Sequence, residues 1–394
     1  MGPLAIDSPL VLGLAVALAV VGLLAAALLS SRTRRTLRGF TARLGLHLLV
    51  AALVLLVAGV ALNDQYGFYA SWSDLLGRSG AVDQAAAGAA PGQALRDPVP
   101  GATPSGTPTT VDLRRPALPD PGRRRQLFTV HGAASGLTGR VAVLLPADYE
   151  QPATAGRSYP VVYALAGYPA TPTTWFDSTS MPAIVDGLTA SGTLARAVIA
   201  SPQLEIPTGR DTECVDGGHG RPAVETFLAQ DVPSFLEAHL RLRTDRASWT
   251  TLGYSMGGWC AAVLTMRHPS TFGSALVLGG YFQPLFDPSY APFAPSSAAA
   301  AGYDLEALAA TRPPPVAMWV FTSRSDGTSY PTTRRFLAAA RAPLSVTSVV
   351  QGDSGHRMSV WLDALPTALA WLAATVPGWA GGGSPSPTAG PTSS

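Results

Sequence analysis

The stretch Thr250-Thr251-Leu252-Gly253-Tyr254-Ser255-Met256-Gly257-Gly258 decides how the chain folds. Its first half suits a short buried strand, and Trp259, Ala262, Val263 and Met266 follow at helical spacing. Between them lies Gly-x-Ser-x-Gly, the pattern of a sharp strand-to-helix turn that holds its serine in a strained backbone conformation. Such a turn needs small residues two before and two after the serine, and Gly253 and Gly257 fill those places. Ser255 then stands at the carboxyl end of a strand and the amino end of a helix, where a nucleophile is presented. With 40 glycines in 394 residues the five-residue pattern alone is weak, and the flanking strand and helix carry the expectation.

Outward from that turn, apolar runs alternate with helical patterns over residues 126–378. Strands are expected at 127–130, 139–145, 161–165, 197–200, 249–253, 275–278, 316–321 and 345–350. Helices are expected at 181–190, 223–240, 256–267, 332–341 and 360–373. The alternation from the third strand onward predicts an open, mostly parallel sheet covered on both faces, with the first two strands antiparallel at one edge. Reactive groups of such sheets lie beyond the carboxyl ends of the strands, where Ser255 falls.

A serine hydroxyl needs a histidine as base, and the histidine needs an acid to orient it. In a strand–turn–helix site of this kind the chain order is nucleophile, acid, histidine. Of the six histidines only His268 and His356 follow Ser255. His268 ends the post-serine helix and is expected to cap it; His356, in Gly352-Asp353-Ser354-Gly355-His356 straight after the last strand, is the candidate base. The candidate acid is Asp326, on the loop after the 316–321 strand. Asp353 competes, but three residues before His356 on one loop it suits a turn-capping role better. Two backbone N–H groups are needed for the developing oxyanion. Met256, next after the serine, supplies one, and Tyr168 in Ala166-Gly167-Tyr168-Pro169 the other, since Pro169 has no N–H.

Cys214 and Cys260 are the two cysteines of the chain. Loops from adjacent strands bring them to one edge of the sheet, so a disulfide is expected in an oxidising compartment, the competing expectation being two buried thiols. Asp211, Glu213 and Asp216 on the same loop either select a polar or cationic group or are solvated. Two cysteines are too few for a structural zinc site, and neither metal nor cofactor is expected.

The amino-terminal part has another character. Residues 10–29 and 44–62 are apolar runs, each long enough to cross a hydrocarbon core of about 30 Å as a helix. Arg32, Arg34, Arg35, Arg38 and Arg43 lie between them, while the outer flanks carry Asp7 and Asp64. The positive-inside rule places the Arg loop in the cytoplasm and both ends outside, so a multi-pass anchor in the cell membrane with an extracytoplasmic domain is expected. A cleaved signal peptide fits less well, because no basic residue precedes the first run. The chain thus divides into an anchor over 1–79, a flexible Ala/Gly/Pro/Thr-rich linker over 80–125, a globular domain over 126–378 and a disordered tail over 379–394. Charged residues are only 13%, net charge is +2 and every basic side chain is an Arg; because the charge is dispersed, no nucleic-acid groove is expected as a partner surface.

The globular domain resembles the esterase D-like family of α/β-hydrolases, which includes feruloyl esterases, S-formylglutathione hydrolases and bacterial mycolyltransferases. The matching stretches are Val143-Leu144-Leu145-Pro146-Ala147-Asp148-Tyr149, Tyr163-Ala164-Leu165-Ala166-Gly167, Gly253-Tyr254-Ser255-Met256-Gly257-Gly258, His268-Pro269-Ser270-Thr271-Phe272, and Gly355-His356 with Trp361. The resemblance implies an α/β-hydrolase fold after two transmembrane helices, with Ser255 as nucleophile, His356 as base and Asp326 as acid. Where the mycolyltransferases carry an Arg soon after the glycine that follows the third strand, this chain has Tyr168-Pro169. The expected activity is cleavage of a carboxylic ester through an acyl-enzyme. The alternatives are acyl transfer to an envelope sugar, lipid or glycolipid, and a non-catalytic envelope-binding protein on the same scaffold.

Overall fold

The computed structural model describes residues 6, 8–32, 37–77, 81–100, 116–287, 290–294 and 296–381. Arg34, Arg35, the 101–115 part of the expected linker and the 382–394 part of the expected tail lie outside them. The chain forms two compact units. One comprises Met1–Val82, Ser323–Gly327 and Gln351–Arg357; the other comprises Asp83–Thr322, Thr328–Val350 and Met358–Ser394.

The second unit is built on nine strands: β1 (Val82–Gly88), β2 (Arg125–His131), β3 (Thr138–Leu144), β4 (Val161–Leu165), β5 (Val198–Pro202), β6 (Trp249–Tyr254), β7 (Ser274–Leu278), β8 (Ala317–Ser323) and β9 (Ser345–Gln351). Their order in the sheet is β1-β9-β8-β7-β6-β4-β5-β3-β2. The pairs β5–β4, β4–β6, β6–β7 and β7–β8 are parallel, while β2–β3 and β3–β5 are antiparallel, as the sequence predicts. The middle strands are buried along their whole length, the state of parallel strands covered on both faces.

Alternate residues feed two cores. Val161, Tyr163 and Leu165 of β4 face one core, shared with Leu236 and with Val263 of the helix Met256–Arg267. Val162 and Ala164 face the other, with Trp319 of β8 and with Trp361, Leu365, Leu369 and Leu372 of the helix Met358–Thr375. Each buried Val or Leu side chain here contributes about 1.5–3 kcal/mol by leaving water. The helix Met256–Arg267 is buried from Met256 to Met266, so it is apolar on all sides rather than amphipathic.

Two local features differ from expectation. The 223–240 helix is interrupted by a π turn at Phe227–Asp231, two residues before Pro233, which has no N–H to continue the α ladder and crowds the carbonyl four residues back. The stretch expected as a flexible linker contributes β1, the edge strand beside β9. Its side chains are small and mostly exposed, so backbone pairing rather than burial holds it. Ala89 N–H donates to Leu344 O at 2.9 Å, and a Cβ on Gly88, at φ +79°, would strike that same carbonyl.

In the first unit, α1 (Pro9–Arg32) and α2 (Leu37–Tyr66) are long and apolar enough to cross a membrane, with mean hydropathy 2.8 and 2.6 over Pro9–Leu28 and Arg38–Asp64. Many of their apolar side chains are exposed, Leu24 by 59% and Leu55 by 72%, while Ala15, Ala19, Ala26, Val50 and Val60 are buried. The two helices meet at Gly22, where a Cβ would lie 3.2 Å from Leu53 and 3.5 Å from Val50. After α2 the chain turns at Gly67 and forms a single helical turn, α3 (Trp72–Leu75), capped by the Ser71 hydroxyl, which accepts from Asp74 N–H at 3.0 Å.

Candidate active site

Ser255 links β6 to the helix Met256–Arg267 at φ +54° and ψ −126°. This is a region that residues with a Cβ rarely enter, at a cost of about 1–3 kcal/mol. The surroundings enforce it. A Cβ on Gly253 would collide with the Gly257 carbonyl, a Cβ on Gly257 with the carbonyls of Leu165 and Ala166, and one on Gly258 with Gly280 Cα. Ser255 N–H donates to Leu278 O of β7 at 3.0 Å, which pins the turn to the sheet. Trp361 stacks on Tyr254 at 5.1 Å between ring centroids and lies against Gly279, packing the far side of the turn.

The loop after β4 passes beside the serine. A Cβ on Gly167 would meet the Tyr254 ring at 2.7 Å and Ser255 Cβ at 3.3 Å, so only glycine lets this backbone through. The N–H of Met256 opens the helix, one of the donors that helix geometry leaves without an intrahelical partner. Tyr168, the other candidate donor, is fixed through its hydroxyl, which donates to Gly209 O at 3.2 Å. Glu205, which sequence reasoning did not single out, is the tie between these loops. Its carboxylate accepts from Ala170 N–H at 2.6 Å and from Gly209 N–H at 3.0 Å.

Cys214 and Cys260 are joined, with Cα atoms 5.7 Å apart. The neighbouring acids are held by local hydrogen bonds rather than left as solvated loop charges. Glu213 is 1% exposed and accepts from the Tyr281 hydroxyl at 2.6 Å. Burial, and then the charge of Asp211, push its carboxyl up to about 8. Asp211 itself is pushed up to about 6 by burial. Asp216 accepts from Thr226 N–H and hydroxyl at 2.9 and 2.6 Å, a local clamp. His268 donates from Nε2 to Glu225 at 2.7 Å, at the carboxyl end of the post-serine helix.

In the first unit, His356 Nδ1–H donates to Asp326 Oδ2 at 2.8 Å. Asp326 is 4% exposed, and a carboxylate there fixes the ring and its tautomer. Asp353, the competing acid, instead takes hydroxyl hydrogen bonds from Ser71 at 2.6 Å, Ser73 at 3.0 Å and Ser325 at 3.0 Å. Burial works against its charge, yet these three hydroxyls hold its carboxyl below the ordinary range. Among the described residues no cluster of His, Cys, Asp and Glu has the form of a metal site.

The Esterase family model matches residues 134–375. The chain belongs to the Esterase family. Among solved structures this esterase is similar to a ferulic acid esterase, with TM-score 0.51 and 19% identity over 64% of this chain and 98% of that one. It is similar too to an S-formylglutathione hydrolase from Agrobacterium tumefaciens, with TM-score 0.51 and 15% identity over 64% and 95% of the two chains. At such identities the likeness is one of fold, and the fold is that of the α/β-hydrolases. An uncharacterised protein of Corynebacterium glutamicum is 28% identical over 158 residues, 40% of this esterase and 36% of that protein. The match therefore spans about a third of that relative's length.

Proposed function

We propose that this esterase is a multi-pass membrane protein whose catalytic domain lies on the extracytoplasmic side and cleaves carboxylic esters by a serine mechanism. Ser255 Oγ attacks the ester carbonyl carbon while His356 Nε2 takes its proton. The N–H groups of Met256 and Tyr168 hold the oxyanion, and Asp326 steadies the imidazolium through Nδ1–H. Collapse of the tetrahedral intermediate breaks the bond to the alkoxy oxygen, which leaves as the alcohol with the proton from Nε2. Water then adds to the acyl-enzyme, gives a proton to Nε2, and releases the carboxylic acid as Ser255 recovers its own proton.

The observation that carries this proposal is the strained backbone of Ser255 at the carboxyl end of β6, held by Gly253 and Gly257. The hydrogen bond from His356 to Asp326 supports it. The test is a fluorophosphonate probe on the full chain in detergent, followed by turnover of a chromogenic ester with and without a sugar acceptor. Wild type is expected to label and to release free acid, and Ser255→Ala and His356→Ala to do neither. Acyl-sugar in place of free acid makes the protein a transferase. An unlabelled wild type makes the scaffold non-catalytic.

A further inference from the structure

We propose that the segment 67–74, directly after α2, is the seat of the histidine loop, and that Asp74 is a positioning residue for His356. This rests on His356 being the catalytic base. The backbone around that histidine is held by this membrane-proximal segment. His356 N–H donates to Gly67 O at 2.8 Å. Its neighbour Gly355 donates N–H to Asp74 Oδ2 at 2.9 Å. Its other neighbour, Arg357, grips Asp74 with both terminal nitrogens at 2.6 Å, donates to Phe68 O at 3.0 Å, and lies 4.6 Å over the Tyr69 ring.

Asp74 is 2% exposed, so its charge is removed from water and satisfied by Arg357 and by the N–H groups of Gly355 and Ala70. Removing the carboxylate takes the charge partner from the half-buried Arg357 guanidinium and the acceptor from the buried Gly355 N–H, a costly state that the loop relieves by moving. The approach is too close for any other residue at 355, since a Cβ there would run into the carbonyls of Phe68 and Gly67. The segment has its own supports. Asn63, near the end of α2, donates from Nδ2 to Tyr69 O at 3.0 Å and accepts from Tyr69 N–H at 2.7 Å. Ser71 and Ser73 hold Asp353 on the same loop. The imidazole is thus aimed from two sides, by Asp326 at the ring and by 67–74 at the backbone.

The experiment uses the full chain in lipid nanodiscs and reads kcat, KM, labelling rate and near-UV circular dichroism. Asp74→Ala is expected to lower kcat and labelling rate about 10²-fold with KM within about twofold, because a displacement of the base near 1 Å costs that much. Asp74→Asn, which keeps an oxygen for Gly355 N–H but loses the charge pair, is expected to fall between it and wild type, with the spectrum unchanged. Wild-type kcat in Asp74→Ala, while His356→Ala has lost activity, overturns the positioning role. A His356→Ala variant that labels like wild type overturns the serine–histidine mechanism itself, and the positioning role with it. Should Asp74→Ala not fold, Ser71→Ala with Ser73→Ala decides. A kcat loss of about fivefold with unchanged KM supports the seat, and wild-type kcat overturns it.

Discussion

At the scale of single residues, the two candidate acids, Asp326 and Asp353, are separated by what they bind. Asp326 meets the imidazole, and Asp353 meets three serine hydroxyls. Asp326→Asn is therefore expected to lower kcat by about 10³–10⁴-fold, through loss of the required tautomer, and Asp353→Asn by at most about tenfold. Steady-state kinetics on the full chain separates them, and equal losses would mean that the acid has been misassigned. Glu213 makes a different prediction. Its folded carboxyl sits at about 8, above the ordinary 4.5, so the folded state holds a proton that the unfolded chain releases. Its contribution is fully present below about pH 4.5 and is lost as pH rises through about 8. The melting midpoint of wild type is expected to fall across that window by about 2–4 °C for each kcal/mol lost, and Glu213→Gln to flatten the fall. The serine, its flanking glycines, His356 and Asp326 were legible because a short motif and a fixed chain order point to them. Asp74 was not. Ser71-x-x-Asp74 looks like an ordinary helix cap, and its partner Arg357 lies far along the chain, where no local pattern can announce it.

At the scale of elements, the disulfide and the edge strand are the two instructive pieces. Cys214 and Cys260 are separated by 46 residues, so closing that loop stabilises the fold by about 4 kcal/mol in the chain-entropy account. Reduction, or Cys214→Ser with Cys260→Ser, is expected to lower the melting midpoint by about 10 °C. A midpoint unchanged by reductant would mean that the crosslink constrains little. The eight strands from β2 to β9 and the helix after the serine were readable, since continuous apolar runs in an alternating order admit few arrangements. Strand β1 was not, because Asp83-Gln84-Ala85-Ala86-Ala87 has neither β-branched side chains nor an apolar face, and only an edge that accepts its backbone makes it a strand. The break in the 223–240 helix hinges on Pro233, a signal visible in the sequence and outweighed there by the apolar periodicity around it.

At the scale of the whole molecule, the arginines between α1 and α2 set the expected orientation. A cysteine introduced as Arg35→Cys is expected to react with a membrane-impermeant maleimide only in opened cells, and Ser386→Cys in intact ones; the reverse pattern would turn the protein around. The sheet carries one more consequence. Its outermost strands are β1 and β2, next to each other in sequence yet at opposite edges. The chain forms the first edge before it enters the matched family region at 134. A protease site engineered into 101–115 should accordingly cut the polypeptide without shedding the enzyme, because the amino-terminal fragment keeps β1 stitched to β9 and 67–74 bonded to the histidine loop.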